Sequence, residues 1–451
     1  MAVRKPDGDG DRIRIGCGAG FANDRIDAAR DLAERGALDF LFFEGLAERT
    51  LAQHQLARAA SPDAGFNPGL IRRLRAVLPG CRTHRTRIVT NMGAANPRGA
   101  GLAAVALARD MGYAGLRIAV VDGDDVKHLI SPETPLTEGG VLADIARPLI
   151  AANAYLGADP IADALDAGAD IVITGRVADP SLVLGPLIHA FGWSRGDWPR
   201  LGAGTLVGHL LECGFHITGG YFADPGRKEV PGLAWLGYPF ADVRADGSSV
   251  IGKLDGTGGL VSRETVLEQM LYEVGDPAAY LTPDVTADFS ATHILQTGPD
   301  LVAVTGGTGR ARPERLKVSL GFGGGVLAEA ESSYAGRGAT ARARLAGQVV
   351  IERMTALHGC TDQMRMDLIG VASLHATAQS GRDSDDVRLR IAMRTLDPQM
   401  AETLVHEVET LWIAGPAGGG GARGRITPTV MARSALIDRA SVTPRVEVLV
   451  A

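Results

Sequence analysis

Short apolar runs alternate with helical patterns along the first 180 residues, and each run ends in glycine beside a polar residue. RIRIG (12–16) leads into a helical pattern at 24–36, and LDFLFFEG (38–45) leads into another at 46–60. TRIVTNMG (86–93) precedes the small-residue helix GAGLAAVALARDMG; LRIAVVDGDD (116–125) follows, and DIVITGRVAD (170–179) comes after DPIADALDAGA. Strands of a parallel sheet are covered on both faces and so read as continuous apolar runs. Strand–helix alternation is how a chain builds such a sheet. The pattern predicts an α/β fold, with an N-terminal, mostly parallel sheet flanked by helices in Rossmann-like layers. Ligands of open sheets of this kind bind beyond the carboxyl ends of the strands. Those ends carry Gly16-Cys17-Gly18, Glu44-Gly45, Asn91-Met92-Gly93, Asp122-Gly123-Asp124 and Thr174-Gly175-Arg176. Five in succession read as one site assembled from neighbouring loops.

At 451 residues the chain exceeds a single ordinary core. Its texture changes over 240–290, where hairpin and turn chemistry replaces the alternation. Beyond, LKVSLGFGGGVLAEAESSYAG and DVRLRIAMRTL alternate as strands do, around the helical run GATARARLAGQVVIERMTALHG. Two domains are expected: 1–275, carrying the site, and a smaller α+β domain, 276–451. A net charge of -6 argues against nucleic acid as a partner. The one arginine-rich run, 71–87, reads as an amphipathic helix and its rim. No apolar run is long enough to span a membrane, and MAVRKPDGDGDR lacks the apolar stretch of a secretory leader. The four cysteines form no CxxC pair, which fits a reducing cytoplasm. Gly- and Ala-rich exposed segments make a homo-oligomer the default expectation.

The opening loop, GCGAGF, spaces its glycines as GxGxG, whereas a dinucleotide cradle needs GxGxxG with an acidic residue on the next strand. The amides of Gly18, Gly20 and Phe21 ahead of a helix read instead as anion-binding groups; a tight turn capped by Asn23 or Asp24 is the alternative. Glu44 and Glu48 lie four apart across a strand-to-helix turn, where like charges raise a carboxyl and suit it to proton transfer. Arg176 and Asp179 stand at one strand end, as a bidentate group for a substrate anion and a carboxylate, or as a mutual ion pair. In GHLLECGFHITGG, His209, Glu212, Cys213 and His216 fall at i, i+3, i+4 and i+7, one face of a helix. That set suits an acid/base pair with a thiol. It leaves a divalent metal open, though the spacing matches no zinc motif, and no other cofactor is expected.

Several runs, in one order from about residue 13 to the end, resemble the acyclic terpene utilisation protein A (AtuA) family. They include IGCGAGFANDRIDAARDLAERG, VTNMGAANP, ANAYLGADPI, DIVITGRVADPSLVLGPL, GHLLECGFHITGGYFADPG and GPAGGGGARG. The resemblance implies a setting among acyl-CoA carboxylases, dehydrogenases and hydratases of branched-chain or terpenoid catabolism, and a small companion protein. The family's GHxxECxxxTGG run covers His209, Glu212, Cys213, Thr218, Gly219 and Gly220 but omits His216. Asp24 keeps the acidic position that follows the family's glycine run. Asn96 and Asn153 stand in two more of the shared runs.

Together these readings describe a catabolic enzyme acting on a small carboxylate or an acyl-CoA thioester, with lyase or hydratase chemistry. Glu44, Asp179, His209, Glu212 and Cys213 are its candidate catalytic residues. Gly18, Gly20, Phe21, Asp24, Asn91, Asn96, Asn153, Arg176, Thr218 and Gly219 are the candidate substrate-binding residues. A binding subunit that works only with its companion, and a cofactor-dependent oxidoreductase, are the alternatives.

Overall fold

The computed structural model describes residues 12–375 and 383–451, so most of the N-terminal run examined for a leader lies outside the described residues. It is a mixed α/β structure. The first half runs β1 (Arg12–Cys17), α1 (Asp27–Arg35), β2 (Phe40–Phe43), α2 (Glu48–Ala60), α3 (Leu70–His84), β3 (Arg87–Thr90), α4 (Pro97–Asp110) and β4 (Arg117–Asp122). There follow β5 (Leu149–Ala154), α5 (Asp159–Asp166), β6 (Ile171–Thr174), α6 (Ser181–Phe191) and α7 (Trp198–Glu212). Five of these strands pair in parallel, in the order β1-β2-β3-β6-β4. Every residue of β2 and β6 is buried. Because successive side chains point to opposite faces, both faces of the sheet are covered there, which is why FLFF and IVIT show no alternation.

Antiparallel strands extend this core on both sides. Next to β1 lie β7 (Pro239–Arg244) and β8 (Ser249–Lys253), then Leu301–Thr305 and His293–Gly298. On the far side Arg445–Val450 pairs with β4. The chain therefore divides into two compact units elsewhere than at residue 275: one up to Gly321 together with Ala432–Ala451, the other Phe322–Met431. The loop-rich texture near 240–290 marks a change from parallel to antiparallel pairing inside one sheet. Among the described residues no helix is long and apolar enough to cross a membrane.

In the second unit, helices Ala339–Ala356 and Pro398–Ala414 cover one face of an antiparallel sheet formed by Met364–Ile369, Asp386–Thr395 and parts of two long strands, Arg315–Ala335 and Gly419–Asp438. Ala328, Tyr334, Val350, Leu389, Ile391 and Val408 form its core. Buried Glu407 joins the two helices, accepting from Arg353 at 2.7 and 3.0 Å and lying 2.7 Å from His358 Nε2. The Arg353 bonds hold the Glu407 carboxyl down at about 2.

Candidate functional site

The carboxyl ends of β2, β3 and β6 meet where β6 inserts between β3 and β4. Glu44, just past β2, is buried; its Oε1 accepts from the Leu46 amide at 2.7 Å and from Asn91 Nδ2 at 3.1 Å. Asn91, just past β3, is itself fixed, its Oδ1 accepting from the Gly45 amide at 2.8 Å. Burial, and then the nearby charge of Asp179, push the Glu44 carboxyl up to about 8 against the pull of Leu46, Arg176 and Asn91. Glu48 is not what raises it. Burial works against ionisation of Glu48 too, but its Oε1 takes Lys317 Nζ at 2.7 Å and the Tyr155 hydroxyl at 2.8 Å, and its net shift is downward.

Arg176 follows β6 and is 1% exposed. Its Nε donates to Val177 O at 2.8 Å, one terminal nitrogen to Leu46 O at 2.5 Å and the other to Asp179 Oδ1, while the Tyr155 ring lies 4.4 Å beneath. The guanidinium thus ties the β2 and β6 loops to Asp179 instead of facing open space for a substrate anion. The alternative reading, a mutual ion pair with Asp179, is the arrangement observed. Asp179 itself remains 35% exposed at its side chain. Desolvation raises its carboxyl, and Glu273 and Glu48 add to this against the pull of Arg176.

The end of α7 brings in His209 and Glu212. His209 Nε2 lies 3.2 Å from Met270 O, so it carries the hydrogen and donates; His209 Nδ1 lies 3.0 Å from Glu212 Oε1. The ring is clamped between Tyr280 and Phe289, with centroids at 5.3 and 5.9 Å. Burial would lower the imidazole, but its bonds to Glu212 and Met270 raise it. Burial also pushes Glu212 up to about 7, opposed by His209 and reinforced by Asp179 and Glu273. A raised imidazole beside a raised carboxyl is a pair that shares a proton near neutrality. Among the described residues Glu212 Oε2 is buried without a hydrogen-bond partner, and nearby Gln269 donates through Nε2 to His209 O at 2.9 Å. Burial first, and Glu212 next, push the Cys213 thiol up, so it stays protonated and is a poor nucleophile.

Asp179 acts on both Glu44 and Glu212, and Glu44 acts on Cys213. The five candidate catalytic residues therefore form one electrostatic cluster. Glu273 joins it from beyond helix Arg263–Leu271, held in the left-handed region at φ 59°. No spacing in the sequence points to Glu273. The helical face expected through His216 is broken, because α7 ends at Glu212 and a short 3-10 turn, Gly214–Thr218, follows. His216 stacks on Tyr221 instead. Among the described residues no group of three or more His, Cys, Asp and Glu is disposed to hold a metal ion.

The candidate binding residues divide. Asn91 is in the cluster. The Gly18 amide donates to Phe42 O at 2.8 Å, and the Gly20 amide to Asp24 Oδ2 at 2.9 Å, so the opening loop's own fold uses them. Asp24 closes that loop, and Phe21 is 56% exposed beside it. Asn96 caps α4, accepting from Gly99 N at 3.0 Å and donating to Pro62 O and Ala64 O. Asn153 donates to Asp124 at 2.8 Å, and Asp124 in turn accepts from the Arg176 amide at 2.9 Å. Burial pushes Asp124 up to about 6. Thr218 is buried, its hydroxyl donating to Phe215 O at 3.2 Å, and Gly219 follows at φ 100°.

Gly20 has a use that GxGxG spacing does not reveal. A Cβ there would lie 2.5 Å from the Cys213 carbonyl carbon and 2.7 Å from its oxygen. The loop after β1 is thus pressed against the end of α7. Gly20→Ala should cost about 1–3 kcal/mol, read as a lower urea midpoint. An unchanged midpoint would mean that the two segments are not in contact in solution.

A family model described as acyclic terpene utilisation family protein AtuA matches residues 13–448. No curated protein matches the chain. Two solved structures, "De novo designed protein Foldit4" and "De novo designed protein Ferredog-Diesel", align with 23% of this chain and with 94% and 85% of their own, at 12% and 14% identity and TM-scores of 0.17 and 0.16.

Proposed function

The chain belongs to the acyclic terpene utilisation family AtuA, and on that premise we propose that it is a lyase or hydratase acting on an acyl thioester in terpenoid or branched-chain acid degradation. One feature carries the reading: burial and the charge of Asp179 raise two proton-holding groups at once, Glu44, held at about 8, and Glu212, held at about 7 and bonded to His209. Carboxyls displaced to neutral pH by burial and neighbouring charge are what acid–base catalysis requires.

Adding water across a double bond conjugated to a thioester needs two proton transfers. Glu212, ionised and backed by His209, takes a proton from water as the oxygen bonds to the β-carbon. The double-bond electrons move toward the carbonyl, and the α-carbon then takes a proton from Glu44, relayed through Asp179 at the open side of the cluster. Dehydration runs the same steps backwards. The committed cations favour a thioester over a free carboxylate. Arg176 is bound to Asp179 and two carbonyls, and Lys317 to Glu48. An uncharged thioester carbonyl makes no demand for a free cation.

The test follows the loss of enoyl-thioester absorbance with a panel of branched-chain enoyl-CoA substrates and the matching free acids. Turnover is expected on thioesters only. Its pH profile should rise as Glu212 ionises near 7 and fall as Glu44 ionises near 8. A panel inert throughout, or acids turned over as fast as thioesters, would sink the proposal.

A further inference from the structure

We infer that the open face of the second unit's sheet is a docking surface for an extended acidic segment of another protein. The face opposite the two helices is layered by charge. Glu329, Glu331 and Asp367 form its inner layer, with only 17%, 20% and 8% of their side chains exposed. Each is shared between two arginines. Glu331 meets Arg388 at 3.7 Å and Arg423 at 2.7 Å; Glu329 meets Arg390 at 2.6 Å and Arg425 at 2.7 Å. Asp367 meets Arg365 at 2.8 Å and Arg390 at 2.6 Å. A sixth arginine, Arg394, projects from the same face in register with Leu327 and has no carboxylate partner among the described residues.

Asp386, exposed at the start of the same strand and on the same face, is a fourth carboxylate; six guanidinium groups over four carboxylates leave a surplus of two positive charges, and the cations lie outermost. Arg423 and Arg425 are 61% and 73% exposed. Nothing in the local fold calls for this excess, since four cations would neutralise the four carboxylates, and the chain as a whole carries -6. The guanidiniums stand in two cross-strand rows, Arg388–Arg423 and Arg390–Arg425, two residues apart along each strand. Alternate residues of a strand repeat at about 6.7 Å. An extended peptide with carboxylates at i and i+2 has the same repeat, and each guanidinium, sharing its inner carboxylate, keeps N–H groups for a second, outer one. Nucleic acid fits less well. No aromatic side chain stands among the two rows to stack a base.

The test is fluorescence anisotropy of a labelled alternating glutamate–threonine peptide with the full chain, against a glutamine–threonine peptide and a single-stranded RNA. The acidic peptide should bind, weaken as salt rises, and lose about tenfold or more in affinity with R423E/R425E, since like-charge contacts cost several kcal/mol. R394E, which breaks no ion pair, should weaken it in the same direction if the double variant folds poorly. R30E, on the exposed side of α1, should leave it unchanged. Equal binding of the two peptides, indifference to both the double variant and R394E, or tighter binding of the RNA would overturn the proposal. So would a dimer of the chain itself that R423E/R425E dissociates.

Discussion

Arg176→Met should destabilise the first unit by about 3–5 kcal/mol, the range for removing one partner of a buried charge network. The residue is 1% exposed, and its donors hold Val177 O, Leu46 O and Asp179 together over the Tyr155 ring. Methionine fills much of the volume but leaves two buried carbonyls and a carboxylate without their cation. The loss should also depend on pH. Arg176 favours the ionised forms of Glu44 and Asp179, so its removal costs least in acid, where both are protonated, and more as pH rises and they ionise. Arg176→Lys should recover only part, because a lysine cannot reach three acceptors in one plane. Urea unfolding at pH 5 and pH 8 measures all of this. An unchanged midpoint with a raised KM would instead return Arg176 to the role of gripping a substrate anion.

That reversal of role shows where the sequence is legible and where it is not. The run TGRVAD places Arg176 and Asp179 at the end of a buried strand, and they are there, because continuous apolar runs report coverage on both faces directly. Which way a guanidinium turns depends on Leu46 O and Tyr155, brought from two other loops, and no local pattern encodes them. Asn96 is different. Asparagine before proline at a helix start is a cap signature, so its role as a cap was available from Asn96-Pro97 alone. The GxGxG spacing points to the amides of Gly18 and Gly20, yet Gly20 is needed for the closeness of α7, a long-range contact. The expected break near 275 fails for a similar reason. Antiparallel strands at 293–305 and the returning strand Arg445–Val450 join the first sheet, and such pairings leave no mark in composition. The His209–Glu212 pair was readable as i, i+3 on a helix. Its extension to His216 required a helix that Gly214, at φ 56°, ends.

Glu212→Gln should lower turnover of the enoyl thioester by about 10²- to 10⁴-fold, the usual contribution of a positioned acid or base, while the fold becomes no less stable. Glutamine keeps the size and can donate to His209 Nδ1, but it has no proton to exchange. The stability sign follows from the raised carboxyl. Glu212 titrates near 7 in the folded chain and in the ordinary carboxylate range when unfolded. Between those values the folded state binds more protons, so this group's contribution to stability falls as pH rises and then levels off above 7. The glutamine variant is free of that fall. Its urea midpoint should therefore meet or exceed the wild-type value at pH 8, with the advantage shrinking toward pH 4. Opposite movements in activity and stability mark a group held in place for chemistry rather than for packing. Joint loss of turnover and midpoint at pH 8 would make Glu212 a structural partner of His209, and the proton chemistry would then rest with Glu44 and Asp179.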